Sequence, residues 1–281
     1  MGIGYYLQFG FAQHALEAVF LVALSCGLIG PFVITRSMSF AVHGTSELAF
    51  TGAAAGLLVA NNPLGGALVG AVVVAGLIGT LGRRVSERDS TIGVILAAGL
   101  GLGFYLIAFY QGFASEALNI LFGNIFGVSS GQILLLAAIA LVVAVVMSVI
   151  WRPLLFASVD PDVAQARGVR TGLLGIVFLF VLAITVTEAA QLVGTLLVLS
   201  LAITPAAAAQ RLSANPVVVT AVSIGIAVFS AEGGLLLSFQ FASVKPSVLI
   251  VAVSFTCYVV ARLVGPTLTA RRRAAFGRVA L

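Results

Sequence analysis

Long apolar runs separated by short polar segments dominate the pattern of residues along the chain. Each run is about 18 residues or longer, which as an α-helix is enough to cross about 30 Å of hydrocarbon. The runs are unbroken, whereas the strands of a membrane β-barrel alternate in character. The pattern therefore predicts an all-α polytopic membrane protein with about eight to nine transmembrane helices. The apolar runs cover residues 17–35, 41–60, 64–82, 92–110, 131–151, 172–190, 192–209, 217–240 and 247–266.

The pattern leaves alternatives open over 172–209, where two crossings would share one short stretch and be joined by a tight turn. If that stretch makes one crossing or a re-entrant pair, the number of crossings falls to seven or eight.

Composition supports the membrane class independently. Hydrophobic residues make up 61% of the 281 residues, charged residues make up 8%, and the mean hydropathy is +1.20. Soluble domains carry about 25% charged residues, so this chain could not cover a water-facing surface.

Arginine is distributed unevenly between the runs. Every second gap carries arginine, and the intervening gaps contain Lys245 but no arginine. By the positive-inside rule, the arginine-bearing loops and the basic tail 267–281 are predicted to be cytoplasmic. The net charge of +5 thus indicates membrane topology and not nucleic-acid binding. The arginines between and after the runs are Arg36, Arg83, Arg84, Arg88, Arg152, Arg167, Arg170, Arg211, Arg271, Arg272, Arg273 and Arg278.

Motifs for nucleotide or zinc chemistry are missing from the sequence. It contains no G-x-x-x-x-G-K-[ST] and only one lysine, so a P-loop is excluded. It contains no H-E-x-x-H, and His14 and His43 are the only histidines. Cys26 and Cys257 both lie in apolar runs and are interpreted as small hydrophobic residues. We therefore predict no catalytic site and no cofactor on this chain.

One polar stripe interrupts the second apolar run. In "SFAVHGTSELAFTGAAAG" (39–56), Ser39, His43, Glu47 and Thr51 recur every four residues and fall on one helix face. A charge in mid-membrane costs about 2.5–3.5 kcal/mol, so such residues usually face a cavity or a partner. An imidazole with a carboxylate suits a divalent transition metal, and the stripe predicts a cation pathway. Two alternatives stay open: Glu47 lies among lipid headgroups, or it only packs against His43 within its own helix.

Two further acidic residues lie in or near apolar runs. Glu232, in "VFSAEGGLLLSF", is a candidate third metal ligand that faces His43 and Glu47 across the bundle. Glu188, in "ITVTEAAQLVGT", is predicted at a turn near the outer surface, where a carboxylate remains hydrated.

Taken together, several segments resemble the membrane-spanning permease subunits of ABC importers for zinc, manganese and iron(II). The resemblance extends over about residues 15–265 and depends on the order and spacing of the segments more than on any one of them. The segments are "GLIGPFVITRSMSF" with the stripe that follows it, "ERDSTIGVILAAGLGLG" (87–103), "ILFGNIFGVS" (120–129), "ASVDPDVAQARGVRTG" (157–172) and "LVGTLLVLSLAITPAAAAQRL" (192–212).

This resemblance implies a type II ABC importer-like permease, with one transmembrane domain over 1–281 and a helical bundle over 15–266. It also implies a homodimer in the cell membrane, a cytoplasmic ATPase dimer that binds ATP, and an extracytoplasmic metal-binding protein. One departure concerns the stripe. Family members commonly have Asp where this chain has His43, His where it has Glu47, and Pro-Gly at Thr51-Gly52. The resemblance therefore implies a divalent metal but not which one.

The segment 152–171 resembles the cytoplasmic helix through which such a permease contacts its ATPase. The residues independently predict a short helix: Asp160 suits the N-cap, Pro161 the first turn, Asp162 the positive dipole end, and Gly168 the C-terminal stop. The alternative is an ordinary cytoplasmic connection. The residues assigned to ATPase coupling are Asp160, Pro161, Asp162, Ala164 and Gly168.

Three other functions remain open from the sequence. An ABC permease for a metal chelate or cobalamin-like ligand would need a wider, less ionic pathway. A secondary transporter driven by an ion gradient would be expected to have internal repeats, and none is evident. An intramembrane enzyme would use Glu47 and His43 as acid and base.

Overall fold

The structure, a computed structural model, describes residues 3–6, 8–81, 85–110, 123–195, 198–241 and 244–277. For 3–4, 80–81, 85–91 and 266–277 it describes the backbone alone. Arg83, Arg84 and Arg278, and the loop carrying Glu116, lie outside the described residues. The helices are α1 (Ile3–Tyr6), α2 (Gly10–Thr35), α3 (Ser39–Ala60), α4 (Pro63–Leu81), α5 (Val85–Ala108), α6 (Ser130–Val159), α7 (Pro161–Ala166), α8 (Thr171–Val193), α9 (Val198–Leu212), α10 (Pro216–Ser238) and α11 (Pro246–Gly277), with a 3-10 turn at Ile125–Gly127.

The long helices coincide with the predicted apolar runs, and the prediction of an all-α polytopic membrane fold is confirmed. By length and composition, five of the described helices are suited to crossing a membrane: α2, α6, α8, α10 and the Pro246–Gly265 part of α11. Shorter apolar helices occur at Pro63–Gly79, Ile92–Ala108 and Val198–Leu212. Helix α3 belongs to neither group because His43, Glu47 and its Ser, Thr and Gly residues lower its hydropathy.

One feature of the fold differs from the sequence predictions. Glu188 was predicted in an exposed turn, but it lies inside α8 and is 2% exposed. Helix α8 continues to Val193 and ends at Gly194, where φ is 102°, a value that favours glycine. Within the predicted coupling segment 152–171, residues 152–159 continue α6 through Pro153, and α7 forms the separate short helix that Asp160 and Pro161 predicted.

Helix α2 lies at the centre of the bundle. It packs against α6, α8, α9 and α10, and its buried face consists largely of small residues that allow close approach. Near its C-terminal end the core widens around Phe32, whose ring meets Trp151 of α6 edge-on at 4.9 Å between centroids. Phe178 of α8 closes the same cluster and is fully buried. This core joins the C-terminal parts of α2 and α6 to the N-terminal part of α8 at one end of the bundle.

Helix α3 is fastened to α4 through glycines. Gly52 and Gly56 on α3 face Gly66 and Gly70 on α4 so closely that a Cβ atom on any of them would overlap the backbone of the opposite helix. Asn61, in the left-handed region at φ 49°, ends α3. In hydrocarbon no hydrophobic driving force brings helices together, so the association of α3 with α4 depends on van der Waals contact between closely packed backbones. The arrangement fixes the face that α3 leaves open.

We predict that Gly66→Ala destabilises the protein, because its Cβ has no space between α3 and α4. An overpacked core of this kind typically costs about 1–3 kcal/mol. The matched control is Gly76→Ala on the same helix, where a Cβ would meet nothing within 4 Å. Thermal unfolding of the detergent-solubilised protein should give a lower midpoint for Gly66→Ala alone. Equal midpoints for the two variants would contradict the close packing.

Candidate metal-binding site

The turn between α2 and α3 sets the position of the polar stripe. Helix α2 is capped by Arg36, and Ser37 adopts the left-handed region at φ 53°. The N–H of Met38 donates to the Val33 carbonyl oxygen at 2.8 Å, and the Met38 side chain is 1% exposed. Because Met38 is buried and hydrogen-bonded, the orientation of the first turn of α3 is fixed. His43 lies just after that turn.

His43 and Glu47 form a close pair on α3. The distance from His43 Nε2 to Glu47 Oε1 is 3.3 Å, and the side chains are 33% and 12% exposed, respectively. The pair is therefore in contact, as one alternative from the sequence proposed, and it is also partly open to its surroundings. His43 Nδ1 is buried and forms no hydrogen bond with any described group. Access to an ion is thus through Nε2 and the Glu47 carboxylate.

The remainder of the stripe has a different character. Ser39 is exposed, whereas the Thr51 hydroxyl donates to the Gly99 carbonyl oxygen of α5 at 2.7 Å. Residues of α3, α4 and α5, including Thr51, line a groove of about 730 Å³. Apart from Thr51 and Asn62 its lining is apolar, and it includes neither His43 nor Glu47. The groove therefore offers apolar contact but few ligands for an ion.

Glu232 does not join the pair within one chain. It lies half-buried on α10, which packs against α2, α9 and α11. Helix α3 packs mainly against α4, α5 and α8. Across the described part of the chain, no cluster of three or more His, Cys, Asp or Glu side chains is suited to holding a metal ion. Of the three candidate ligands, only His43 and Glu47 therefore lie together within one chain.

The short helix α7 has the local form that its sequence predicted. Asp160 is the N-cap, and its carboxylate accepts the Val163 N–H at 3.0 Å. Pro161 occupies the first turn, and Gly168, at φ 82°, ends the helix as only glycine does readily. Ala164 is fully buried and holds α7 against the bundle, while Asp162 is exposed. Helix α7 thus presents an exposed outer surface, which includes Asp162 and Val163, and packs on the bundle through Ala164.

The sequence did not predict a contact between the C-terminal end of α6 and the turn that precedes the polar stripe. Arg36 Nη1 donates to Ser158 Oγ at 3.3 Å, just before α7. Its guanidinium carbon also lies 5.9 Å from the centroid of the Phe178 ring on α8. Arg36 therefore contacts the helix before α7 and the helix after it, while its own turn leads into α3. Its position at the end of an apolar run was visible in the sequence, but its partners were not.

The architecture is that of a polytopic helical membrane protein, and comparison with known proteins gives its family. Residues 8–265 match the ABC 3 transport family, and the chain belongs to that family. This membership argues against a secondary transporter and an intramembrane enzyme.

Named proteins that the chain resembles are consistent with this assignment. It is 31% identical to the manganese transport system membrane protein MntC of Halalkalibacterium halodurans, over 92% of this chain and 89% of that protein. It is 26% identical to the high-affinity zinc uptake system membrane protein ZnuB of Haemophilus influenzae, over 84% and 91%. The solved structure of PsaBC from Streptococcus pneumoniae in complex with Fab superposes with a TM-score of 0.83 at 25% identity, covering 94% of this chain and 95% of that chain.

We predict that Asp160→Ala loosens α7, because the N-cap acceptor is lost while the Val163 N–H remains. Loss of such a cap costs about 1 kcal/mol, which corresponds to roughly fivefold faster amide exchange. Asp160→Asn is the matched control, since its side-chain oxygen preserves the acceptor. Hydrogen–deuterium exchange over 161–169 should separate the two variants; the same exchange in both would rule out the capping role.

Proposed function

We propose that this chain is the permease subunit of an ATP-driven importer and that it forms the membrane pathway for a divalent transition-metal ion. The observation that carries the proposal is the His43–Glu47 pair, which offers one nitrogen and one oxygen ligand on a partly open face of α3. Similarity to manganese and zinc transport proteins supports the same class of cargo. The nitrogen and oxygen ligands are compatible with Mn, Fe or Zn.

A two-ligand site suits passage better than storage. A structural zinc site closes four ligands around the ion, and such a cage would retain its cargo. His43 and Glu47 leave the remaining coordination positions to water or to a second copy of the chain. Conduction needs binding that is favourable enough to admit the ion and weak enough to release it. The pair meets that requirement in its number of ligands.

Two copies of the chain, an ATPase dimer and an extracytoplasmic metal-binding protein complete the proposed assembly. In this scheme the arginine-bearing loops and α7 lie on the cytoplasmic side of the cell membrane. The binding protein delivers the ion from the opposite side. ATP binds to the partner ATPase, and its hydrolysis drives the alternation of access.

Helix α7 and Arg36 supply the proposed mechanical connection. The ATPase moves α7 through its exposed surface, which includes Asp162, and the buried Ala164 carries the motion to the bundle. Arg36 holds the end of α6 at Ser158 and lies against Phe178 of α8. Because the turn that follows Arg36 positions α3, a displacement of α7 reaches His43 and Glu47 through packed contacts.

We predict that Glu47→Ala abolishes metal uptake while expression and assembly stay intact. The change removes the oxygen ligand and leaves His43 without its partner. The measurement is cellular Mn, Fe and Zn content, determined together in cells that lack other uptake routes. Glu17→Ala, which removes an exposed carboxylate from α2, is the control. Wild-type accumulation with Glu47→Ala would refute the proposed role of the pair.

We predict that Arg36→Ala uncouples ATP hydrolysis from uptake, because α3 loses its contact with the end of α6. Proteoliposomes with the partner ATPase should retain hydrolysis but transport fewer ions per ATP. Arg211→Ala, which removes an exposed arginine from the end of α9, should keep the wild-type ratio. An unchanged ratio for Arg36→Ala would exclude this route.

A further inference from the structure

A buried carboxylate without a partner lies far from the His43–Glu47 pair in sequence. Glu188 of α8 is 2% exposed, and neither of its carboxylate oxygens has a hydrogen-bond partner among the described groups. The Thr187 hydroxyl and Gln191 Nε2 nearby are buried and unpartnered in the same way. Burying an isolated carboxylate is costly unless the group takes up a proton or gains a partner, and a bound cation would supply such a partner.

Glu188 lines a small cavity between α4, α6 and α8. The cavity has a volume of about 120 Å³, and its polar lining consists of Glu188, Gln191, Asn124 and Gln132. A water molecule takes about 30 Å³ of liquid volume, so the space suits a few waters or one partly hydrated ion. The rest of the lining is aliphatic or glycine.

The segment before α6 holds this cavity in place. The N–H of Asn124 donates to the Gln191 carbonyl oxygen at 3.3 Å, which fastens the segment to α8. Ser129 and Gln132 form a capping box at the start of α6, in which Gln132 Oε1 accepts the Ser129 N–H at 2.8 Å. These contacts build the polar wall from three separate parts of the chain. A site constructed in this way is more than a chance gap between helices.

The donor atoms select the chemistry of the occupant. The lining offers a carboxylate and side-chain amides, and no described imidazole, thiol or basic side chain lines the cavity. Oxygen donors without nitrogen or sulfur favour hard cations such as Mn²⁺ over zinc. A cation would also neutralise the carboxylate, which has no basic side chain beside it in the described lining.

The cavity and the His43–Glu47 pair lie at different depths in the bundle. The starts of α3 and α8 lie at the same end of the bundle, since a Cβ on Gly175 of α8 would be 3.4 Å from Nη2 of Arg36, in the turn before α3. At about 1.5 Å per residue, His43 lies roughly 6 Å beyond the start of α3, and Glu188 lies roughly 25 Å beyond the start of α8. Glu188 is therefore nearer the end of the bundle opposite to α7. Helix α8, which carries it, packs directly against α3.

We infer that Glu188, with Asn124 and Gln191, forms a second cation site for a hard divalent ion. The inference rests on the proposed function and deepens it, because the site would lie before the His43–Glu47 pair on an inward route. With two sites in series, an ion that arrives at the first site lowers the affinity of the second site for the ion bound there, as in other multi-site pathways. Each site then needs few ligands.

The test counts bound Mn²⁺ in the assembled permease–ATPase complex in lipid nanodiscs. Electron paramagnetic resonance of free aqueous Mn²⁺ gives the stoichiometry and affinity. Wild type should bind two ions per permease chain. Glu188→Gln keeps the side-chain shape but removes the charge, so it should lose one of them or weaken it about tenfold or more. Glu17→Gln, at an exposed carboxylate, should match wild type.

The variants distinguish failure of this inference from failure of the proposed function. Glu188→Gln with wild-type stoichiometry and affinity would overturn the second site and indicate that only water fills the cavity. Glu47→Ala with unchanged binding would instead overturn the pair and leave the second site standing. If Glu188→Gln does not assemble by size-exclusion chromatography, Gln191→Leu takes its place. That variant should weaken the same class of Mn²⁺ site, and unchanged binding would overturn the inference equally.

Discussion

The cost of removing polar groups from water governs this structure. Inside a bilayer every backbone amide must find a partner within the protein, which is why the described chain is organised as helices. Hydrocarbon also removes the usual drive for helices to associate, so close contacts between small residues take its place. The glycines shared by α3 and α4 are the clearest instance. Against this background, each polar side chain within the bundle requires a physical explanation.

Two acidic sites resolve that cost in different ways. Glu47 contacts His43 on a partly open face of α3, and both side chains are partly exposed there. Glu188 is enclosed, and its carboxylate oxygens contact no described donor. In the first arrangement the carboxylate has a partner within its own helix. In the second, the proposed partner is a cation. Both proposed sites have few protein ligands, which is appropriate where an ion has to leave again.

The sequence predicted local features well and long-range ones poorly. The apolar runs located the long helices, and Asp160, Pro161 and Gly168 located α7, because caps and helix breakers act within a few residues. Glu188 was misplaced because its charge suggested a hydrated turn, whereas α8 continues to Gly194. Whether Glu232 lies near the pair depends on which helices are neighbours in the bundle. Periodicity does not contain that information.

By itself, the sequence determined the membrane class, the helical pattern and the placement of His43 and Glu47 on one helix face. These follow from composition and from the 3.6-residue repeat, which are local properties. The tertiary structure alone decided that Arg36 donates a hydrogen bond to Ser158, that the Asn124 N–H donates to the Gln191 carbonyl oxygen, and that Glu188 is buried. Such contacts join residues far apart in the chain, and packing selects among many helix arrangements that share the same local pattern.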